Sequence, residues 1–486
     1  MSEVVVTRAG TVRGDVAGEV RAFKGIPFAA SPKAGPYRFQ PPKPVARWEG
    51  VRDALEYGPT APKAPYPAPI DRYVREVDIP GDDYLNLNVW TPSSGAGLPV
   101  MVFLHGGGFA NGSNSIPLYD GTRFARDGVV LVSVNYRLGT EGFLYLEDGG
   151  HPNLGLQDQV AALEWVRDNI TAFGGDPARV TVFGESAGAI SIAMLLAMPT
   201  ARGLFQRAIL ESGAAQVTLS PHGARTVAHR LAEHLGVPPT LSGIASVPVD
   251  QLVLAQQQLR AAMAANPDPA VWGEAASNTI PFGPVIDGHV LPGPPLANLN
   301  PDVDVLVGTN TEELALYLVP SGAVNLVTED FLTQAVSRLG MDQQMLDVYR
   351  AERPHATPGE LLQAVQTDWM FRIPAIRLAE AASPVWMYEF AWQPSTFEGR
   401  LGACHAAELP FVFDNVDDSG FHTLLGDDLP QGLADVMHSA WVSFATTGDP
   451  GWSKYGAARD TMRFDVESGV ISDPRKTQRD LWDGIR

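Results

Sequence analysis

From residue 3 to residue 24 apolar and polar positions alternate around Gly10, Gly14 and Gly18. A period of two punctuated by glycine predicts short antiparallel strands. Between Pro27 and Pro69 prolines recur too often for regular structure, so this stretch is expected to be loop, either plain surface covering or the rim of a site. From Leu98 the pattern changes. PVMVFLHG at 99–106 and VVLVSVNYR at 129–137 are near-continuous apolar runs, the signature of strands buried on both faces of a parallel sheet. Such strands need helices above and below them. Residues 154–170 supply one, with Leu156, Val160, Leu163, Val166 and Ile170 at helical spacing, and RVTVF at 179–183 is the next strand. Strand, helix and strand in succession predict a right-handed parallel crossover. The alternation continues with a helix beginning at Ala187 and a strand, RAILES, at 207–212. Residues 221–265 and 327–381 are rich in Ala, Leu, Gln and Glu with helical periodicity, and they flank the strands VDVLVGT at 303–309 and VWMYEFAW at 385–392. These read as helical excursions from one sheet. LADVMHSAWVSFATTG reads as the final helix, closed by Gly448 and Pro450. No repeat, low-complexity tract or flexible linker interrupts the chain, so residues 1–486 are expected to form a single elaborated domain.

Composition narrows the partners. Lys+Arg 35 against Asp+Glu 55 leaves a formal charge of -20, which repels phosphate backbones and anionic membranes. No nucleic-acid or membrane partner is expected, and the acidity reads as a solvated surface rather than steering of a cationic substrate. A single cysteine, Cys404, cannot make an internal disulfide, so a reducing, cytoplasmic setting fits. The opening MSEVVVTRAGTVRG carries charge where a signal peptide would be apolar, so no leader is expected. No uncharged apolar run reaches about eighteen residues, so no membrane span is expected. Monomer and small homo-oligomer both remain open.

Chemistry concentrates where VTVF runs into Gly184-Glu185-Ser186-Ala187-Gly188 and then into a helix. So tight a strand-to-helix turn needs glycine on both sides of the serine and projects its hydroxyl from the end of the sheet. The bland reading makes Ser186 only a helix-start residue. A serine hydroxyl is a weak nucleophile, so it requires a base and donors for the oxyanion that forms on attack. Gly106-Gly107-Gly108, after the strand VMVFL, can turn backbone N–H groups inward, with Gly107 and Gly108 as two donors and Ala187 N–H at the helix start as a third. Alone, the glycine run would be a flexible turn. Paired with the serine turn, it becomes the candidate oxyanion hole.

These residues carry a resemblance. FGGDPARVTVFGESAG at 173–188 resembles the serine signature of the type-B carboxylesterase/lipase family. Asp82 to Pro92 is similar to a second family pattern, with Tyr84 where the family usually has a cysteine. That departure removes a disulfide of secreted members and is similar to bacterial, intracellular carboxylesterases of the para-nitrobenzyl esterase type. The resemblance runs from GIPFA at 25–29 to HAAELPFVF at 405–413 and TTGDP at 446–450, nearly the whole chain. It implies an α/β-hydrolase fold: a central, mostly parallel twisted sheet with helices on both faces, small N-terminal antiparallel strands and helical insertions. It also implies a serine carboxylesterase that hydrolyses small-molecule esters through an acyl-enzyme.

Chain order in that fold is serine, acid, histidine. His405 follows the strand VWMYEFAW by a short loop, a place where catalytic side chains converge. A loop histidine is more often merely exposed, but the segment His405 to Phe411 resembles the family's catalytic-histidine motif. For the acid, VDVLVGT ends in Asn310-Thr311-Glu312-Glu313, and the family pattern matches its glutamate to Glu313. Glu312 competes, because Leu314 stands where the family usually has glycine, and both glutamates also read as helix-start carboxylates. By resemblance Glu185 and Ser212 are supporting residues, Asn278, Ile280 and Phe282 contribute to the acyl pocket, and residues 57–81 form an entrance loop. That loop has no Trp, which argues against choline esters. Short- to medium-chain or aromatic esters fit a moderately apolar pocket. Lactones, carbamates and polyester fragments remain alternatives through the same triad, and a non-catalytic binding relative is a remote one. Neither a metal nor an organic cofactor is expected. Cys404, beside His405, reads as a buried small residue.

Overall fold

The computed structural model describes residues 2–33, 37–148 and 150–485. Residues 34–36 of the proline-rich stretch lie outside the described residues. The chain divides into two compact units, the first comprising Met1–Pro65, Glu76–Ile209 and Val217–Val303, the second Tyr66–Arg75, Leu210–Gln216 and Asp304–Arg486.

In the first unit the alternating N-terminal segment forms β1 (Ser2–Val6), β2 (Thr11–Ala17) and β3 (Val20–Pro27), paired antiparallel. A three-residue strand, β4 (Val51–Asp53), pairs with β2, and the remaining described residues of the proline-rich stretch form no further strand. Then come β5 (Asn86–Pro92), β6 (Leu98–Leu104), β7 (Val130–Val134) and β8 (Gly175–Glu185). The order is β1-β2-β3-β5-β7-β6-β8, with β6 parallel to both β7 and β8. Val100 to Leu104 and Val130 to Val134 are buried throughout, which is why both runs are apolar on each face. At about 1.5–3 kcal/mol per fully buried large apolar side chain, these strands supply much of the unit's stability.

Helix α1 (Leu154–Asn169) buries Leu156, Val160, Leu163 and Val166, the stripe that predicts it. Helix α2 (Ala187–Ala197) is buried all round, so it needs no polar face. Helices α3 (Pro221–Leu235) and α4 (Val249–Ala265) make up most of the first expected helical excursion. α3 starts on Ser220, whose side chain accepts from Gly223 N, and ends on Gly236 in the left-handed region. Strand β9 (Arg207–Glu211) follows α2 in the chain, where RAILES places it.

The second unit is built on β10 (Asp304–Asn310), β11 (Val385–Phe390), β12 (Asp460–Phe464) and β13 (Gly469–Ser472), in that order. β10 to β12 are parallel and β13 returns antiparallel. Two of its helices fall in the second expected excursion. α5 (Pro358–Thr367) opens on a capping box between Thr357 and Glu360, and α6 (Ile373–Ala381) leads into β11. Between them Asp368–Arg372 forms a turn of π-helix, a local widening often found at functional sites. It is pinned by a buried bidentate pair, Arg372 Nε and Nη2 to Asp368 at 2.6 and 2.8 Å, and by Tyr349 Oη donating to Asp368 at 2.6 Å. Helix α7 (Gln431–Thr447) ends at Gly448 as its sequence requires.

One expectation needs correction, and one strand left no mark in the apolar pattern. α7 is not the final helix, because β12, β13 and a short helix at Lys476–Asp480 follow it. β5 was hidden for a different reason: its Asn86, Asn88 and Thr91 are buried, and polar residues in a strand usually mark a solvent face. They are satisfied internally, Asn88 Nδ2 donating to Ser133 Oγ at 3.0 Å and Asn88 Oδ1 accepting from Gly25 N at 2.9 Å. Among the described residues no helix is long and apolar enough to cross a membrane.

Candidate active site

The turn Gly184-Glu185-Ser186-Ala187-Gly188 joins β8 to α2. Ser186 sits at the helix N-cap with φ 55° and ψ −120°, a strained conformation for a residue with a Cβ. The flanking glycines are there for space. A Cβ on Gly184 would stand 2.5 Å from Leu104 O, and one on Gly188 would run into the same carbonyl. The end of β6 and the serine turn are therefore in backbone contact, and larger residues would push them apart. Ala187, in the first turn of α2, has no helical acceptor for its N–H.

The glycine loop begins where β6 ends. A Cβ on Gly106 would stand 2.5 Å from Glu185 Oε2 and 3.1 Å from Ser186 Cβ, so the loop and the serine are in van der Waals contact. Gly107 and Gly108 have φ of 113° and 61°, values glycine adopts without strain, and Phe109 continues at 60°. Ala110 N and Asn111 N both donate to Gly107 O, fixing the turn. From outside, the Glu76 carboxylate accepts from Asn111 Nδ2 at 3.1 Å and Gly112 N at 3.2 Å. His105 closes the strand. Its ring stacks on Tyr136 at 4.5 Å and its carbonyl accepts from Tyr136 Oη at 2.7 Å. Complete burial pushes the His105 imidazole down to about 3, so it is neutral at ordinary pH and serves packing.

The residues expected in the acyl pocket lie nearby. Asn278 and Phe282 are buried and Ile280 is half-buried. Asn278 Oδ1 accepts from Ile280 N at 3.0 Å, holding the segment in a turn. A Cβ on Gly283 would stand 3.5 Å from Ile280 Cγ2 and 3.8 Å from Phe109 Cδ2, so this segment meets the glycine loop.

The acid and base candidates form a pair within the second unit. His405 Nδ1 lies 2.6 Å from Glu313 Oε2, both side chains being buried, and His405 N donates to Glu313 O at 3.3 Å. Glu313 is itself held, its Oε1 accepting from Asn310 N at 2.8 Å. Glu312 points elsewhere: its carboxylate accepts from Ala403 N at 2.9 Å and from Thr311 Oγ1 at 2.5 Å. It braces the loop that leads to His405. Ser212, φ 51°, donates its N–H to Gly308 O at 2.9 Å, and its buried hydroxyl has no hydrogen-bond partner among the described residues. Glu185 is buried against Gly106.

Sequence reasoning missed the frame around this pair. Asn310 Nδ2 donates to Cys404 O at 2.7 Å and to the buried Glu408 at 2.5 Å, tying β10 to the histidine loop. Thr367 Oγ1 accepts from Leu314 N at 3.3 Å, and Phe371, in the π-helical turn, sets its ring 4.9 Å from the His405 ring. Tyr317, 40% exposed, lies 5.8 Å from the same ring. Asn310 opens the Asn310-Thr311-Glu312-Glu313 segment, where an amide at a strand end signals a hydrogen-bond partner; Phe371 and Thr367 carry no local signal. The Cys404 thiol is buried and pushed up by desolvation, so it stays protonated. Among the described residues no group of three or more His, Cys, Asp or Glu could hold a metal ion.

Comparison with known proteins gives a consistent picture. The model of the carboxylesterase family matches residues 1–480. The chain is 38% identical to the para-nitrobenzyl esterase of Bacillus subtilis (strain 168), with 98% of each chain covered. It is 36% identical to the phenmedipham hydrolase of Pseudarthrobacter oxydans, over 91% of this chain and 90% of that one. Among solved structures, a carboxylesterase of Geobacillus stearothermophilus superposes with a TM-score of 0.85 at 35% identity, covering 99% of both chains.

Proposed function

This chain belongs to the carboxylesterase family and is a carboxylic-ester hydrolase of small-molecule esters with an α/β-hydrolase fold, and from that premise we propose which residues carry the reaction. Ser186 attacks the ester carbonyl while His405 takes its proton, and Glu313 holds the imidazole tautomer that leaves Nε2 free to accept. The N–H groups of Gly107, Gly108 and Ala187 receive the oxyanion. The alcohol leaves with the proton from His405; water, deprotonated by the same ring, then releases the acid and restores Ser186. The observation that carries this reading is the 2.6 Å contact of the buried Glu313 carboxylate with His405 Nδ1, an arrangement that costs desolvation and orients the base.

Glu185 and Ser212 are supporting residues in this scheme, and Asn278, Ile280 and Phe282 belong to the acyl pocket. The Phe109, Ile280 and Phe282 side chains favour short- to medium-chain or aromatic acyl groups. The name of one relative, para-nitrobenzyl esterase, accords with aromatic esters. A single catalytic domain is supported by the family match over residues 1–480, and a cytoplasmic, bacterial setting by the lone cysteine and the bacterial relatives.

The test is capture of the intermediate. With p-nitrophenyl butyrate, rapid quenching and mass spectrometry are expected to find butyryl on the peptide bearing Ser186. Steady turnover with the acyl group elsewhere, or nowhere, overturns the nucleophile assignment.

A further inference from the structure

Helix α4 carries Gln256 and Arg260 four residues apart, on one face. Gln256 fixes that face, its Oε1 accepting from Thr140 N at 2.8 Å, while Gln257 Nε2 reaches Pro65 O at 3.4 Å. Leu252, Ala255, Leu259 and Met263 are buried beneath, so the helix has little freedom to roll. One turn beyond Gln256, the guanidinium of Arg260 comes over the glycine loop: a Cβ on Gly108 would stand 3.8 Å from Nη2 and 4.0 Å from Nη1. Arg260 is half-buried and, among the described residues, has neither an ion pair nor a hydrogen bond. An unpaired guanidinium partly removed from water is unusual in a chain of formal charge -20, where carboxylates outnumber cations.

We propose that Arg260 forms an anion subsite at the rim of the glycine loop, which selects esters carrying a second, ionised carboxylate, such as half-esters of dicarboxylic acids. The proposal rests on the reading of Ser186 and the glycine loop as the reacting centre. Gly106 touches Ser186, and Gly108 is two residues further on, at most about 7 Å away along the backbone. A carboxylate separated from the reacting carbonyl by a few carbons reaches across that span. Guanidinium is suited to receive it, because two parallel N–H groups match the two carboxylate oxygens. Lys63, whose partner Glu76 also holds this loop, is already committed to that carboxylate at 3.7 Å and is too deeply buried to compete.

Two substrate pairs differing in charge but little in size test the idea: p-nitrophenyl hydrogen glutarate against p-nitrophenyl valerate for the acyl side, and 4-acetoxybenzoate against 4-acetoxybenzamide for the alcohol side. Arg260→Gln is expected to lower kcat/KM for the charged member of one pair by about 10- to 100-fold, the worth of one charge-assisted contact, and to leave its neutral partner within about twofold. Arg260→Lys is expected to restore part of the loss, and added salt to shrink the difference. Equal effects on charged and neutral members of both pairs overturn the subsite. Calorimetric binding of glutaric acid monoanilide, an amide that resists hydrolysis, gives an independent reading: weaker binding to Arg260→Gln supports the proposal and equal binding overturns it. Should Ser186→Ala keep full turnover of the neutral esters, the nucleophile assignment fails on its own, while the anilide still judges Arg260.

Discussion

The Ser186 turn and the His405–Glu313 pair are held by different means. Around Ser186 the work is done by backbone: a positive φ, glycines at 184 and 188 that let Leu104 O approach, and a glycine loop whose shape is set by its own carbonyls. Around His405 it is done by side chains drawn from separate segments of the second unit, Glu313, Asn310, Glu408, Thr367 and Phe371, joined by a set of hydrogen bonds and a ring contact. The first arrangement is compressed into short segments and tolerates almost no substitution. The second is distributed, and each member tolerates its own loss in proportion to what it touches.

The comparison can be broken at its extremes. Ser186→Ala is expected to lower kcat by about 10⁴- to 10⁶-fold with an unchanged circular dichroism spectrum, and Ser186→Ala/His405→Ala is expected to lose hardly more, because the two act as a unit. A double variant far worse than either single one would mean that they act separately. Next comes the acid. Glu313→Gln is expected to cost about 10³- to 10⁴-fold in kcat, since an amide cannot hold the required tautomer, whereas Glu312→Gln, which braces a loop, is expected to cost about tenfold or less. Equal losses would make the two glutamates interchangeable and the assignment wrong.

Stability provides a third point. His105 is neutral when buried, its folded value being about 3 against 6.5 in the open chain, so the unfolded state binds the extra proton between those values. Its neutral state favours the fold fully above about pH 6.5, and each unit below that removes up to about 1.4 kcal/mol. Urea midpoints followed from pH 7 to pH 4 are expected to fall, with a slope one proton shallower in His105→Gln. An unchanged slope would show that this ring titrates normally.

The mildest change concerns the ring that leans on His405. Phe371→Leu keeps an apolar neighbour but removes the aromatic face, and about a three- to tenfold loss in kcat with a shifted lower limb of the pH profile is expected. A change confined to KM would make Phe371 a substrate contact instead.

The same contrast explains what could be read from sequence. G-E-S-A-G after an apolar strand, and the glycine loop after another, are legible because their chemistry is encoded within a few consecutive residues. His405 and Glu313 were reachable only through chain order and resemblance, since their partnership spans 92 positions. Asn310 stands at the end of a strand and serves as a strut, and Phe371 carries no local signal. β5 was obscured by buried asparagines satisfied inside the protein, and β12 and β13 by their shortness and partial exposure. Periodicity reports which face meets water, and it fails where polar groups are buried or apolar ones are not.

One consequence follows from Cys404. The sole sulfhydryl in 486 residues is sealed beside His405, so an alkylating reagent finds it only when that stretch of chain breathes. The speed of labelling thus clocks the opening of the histidine loop, turning an inert atom into a resident stopwatch for how often the enzyme takes its own machinery apart.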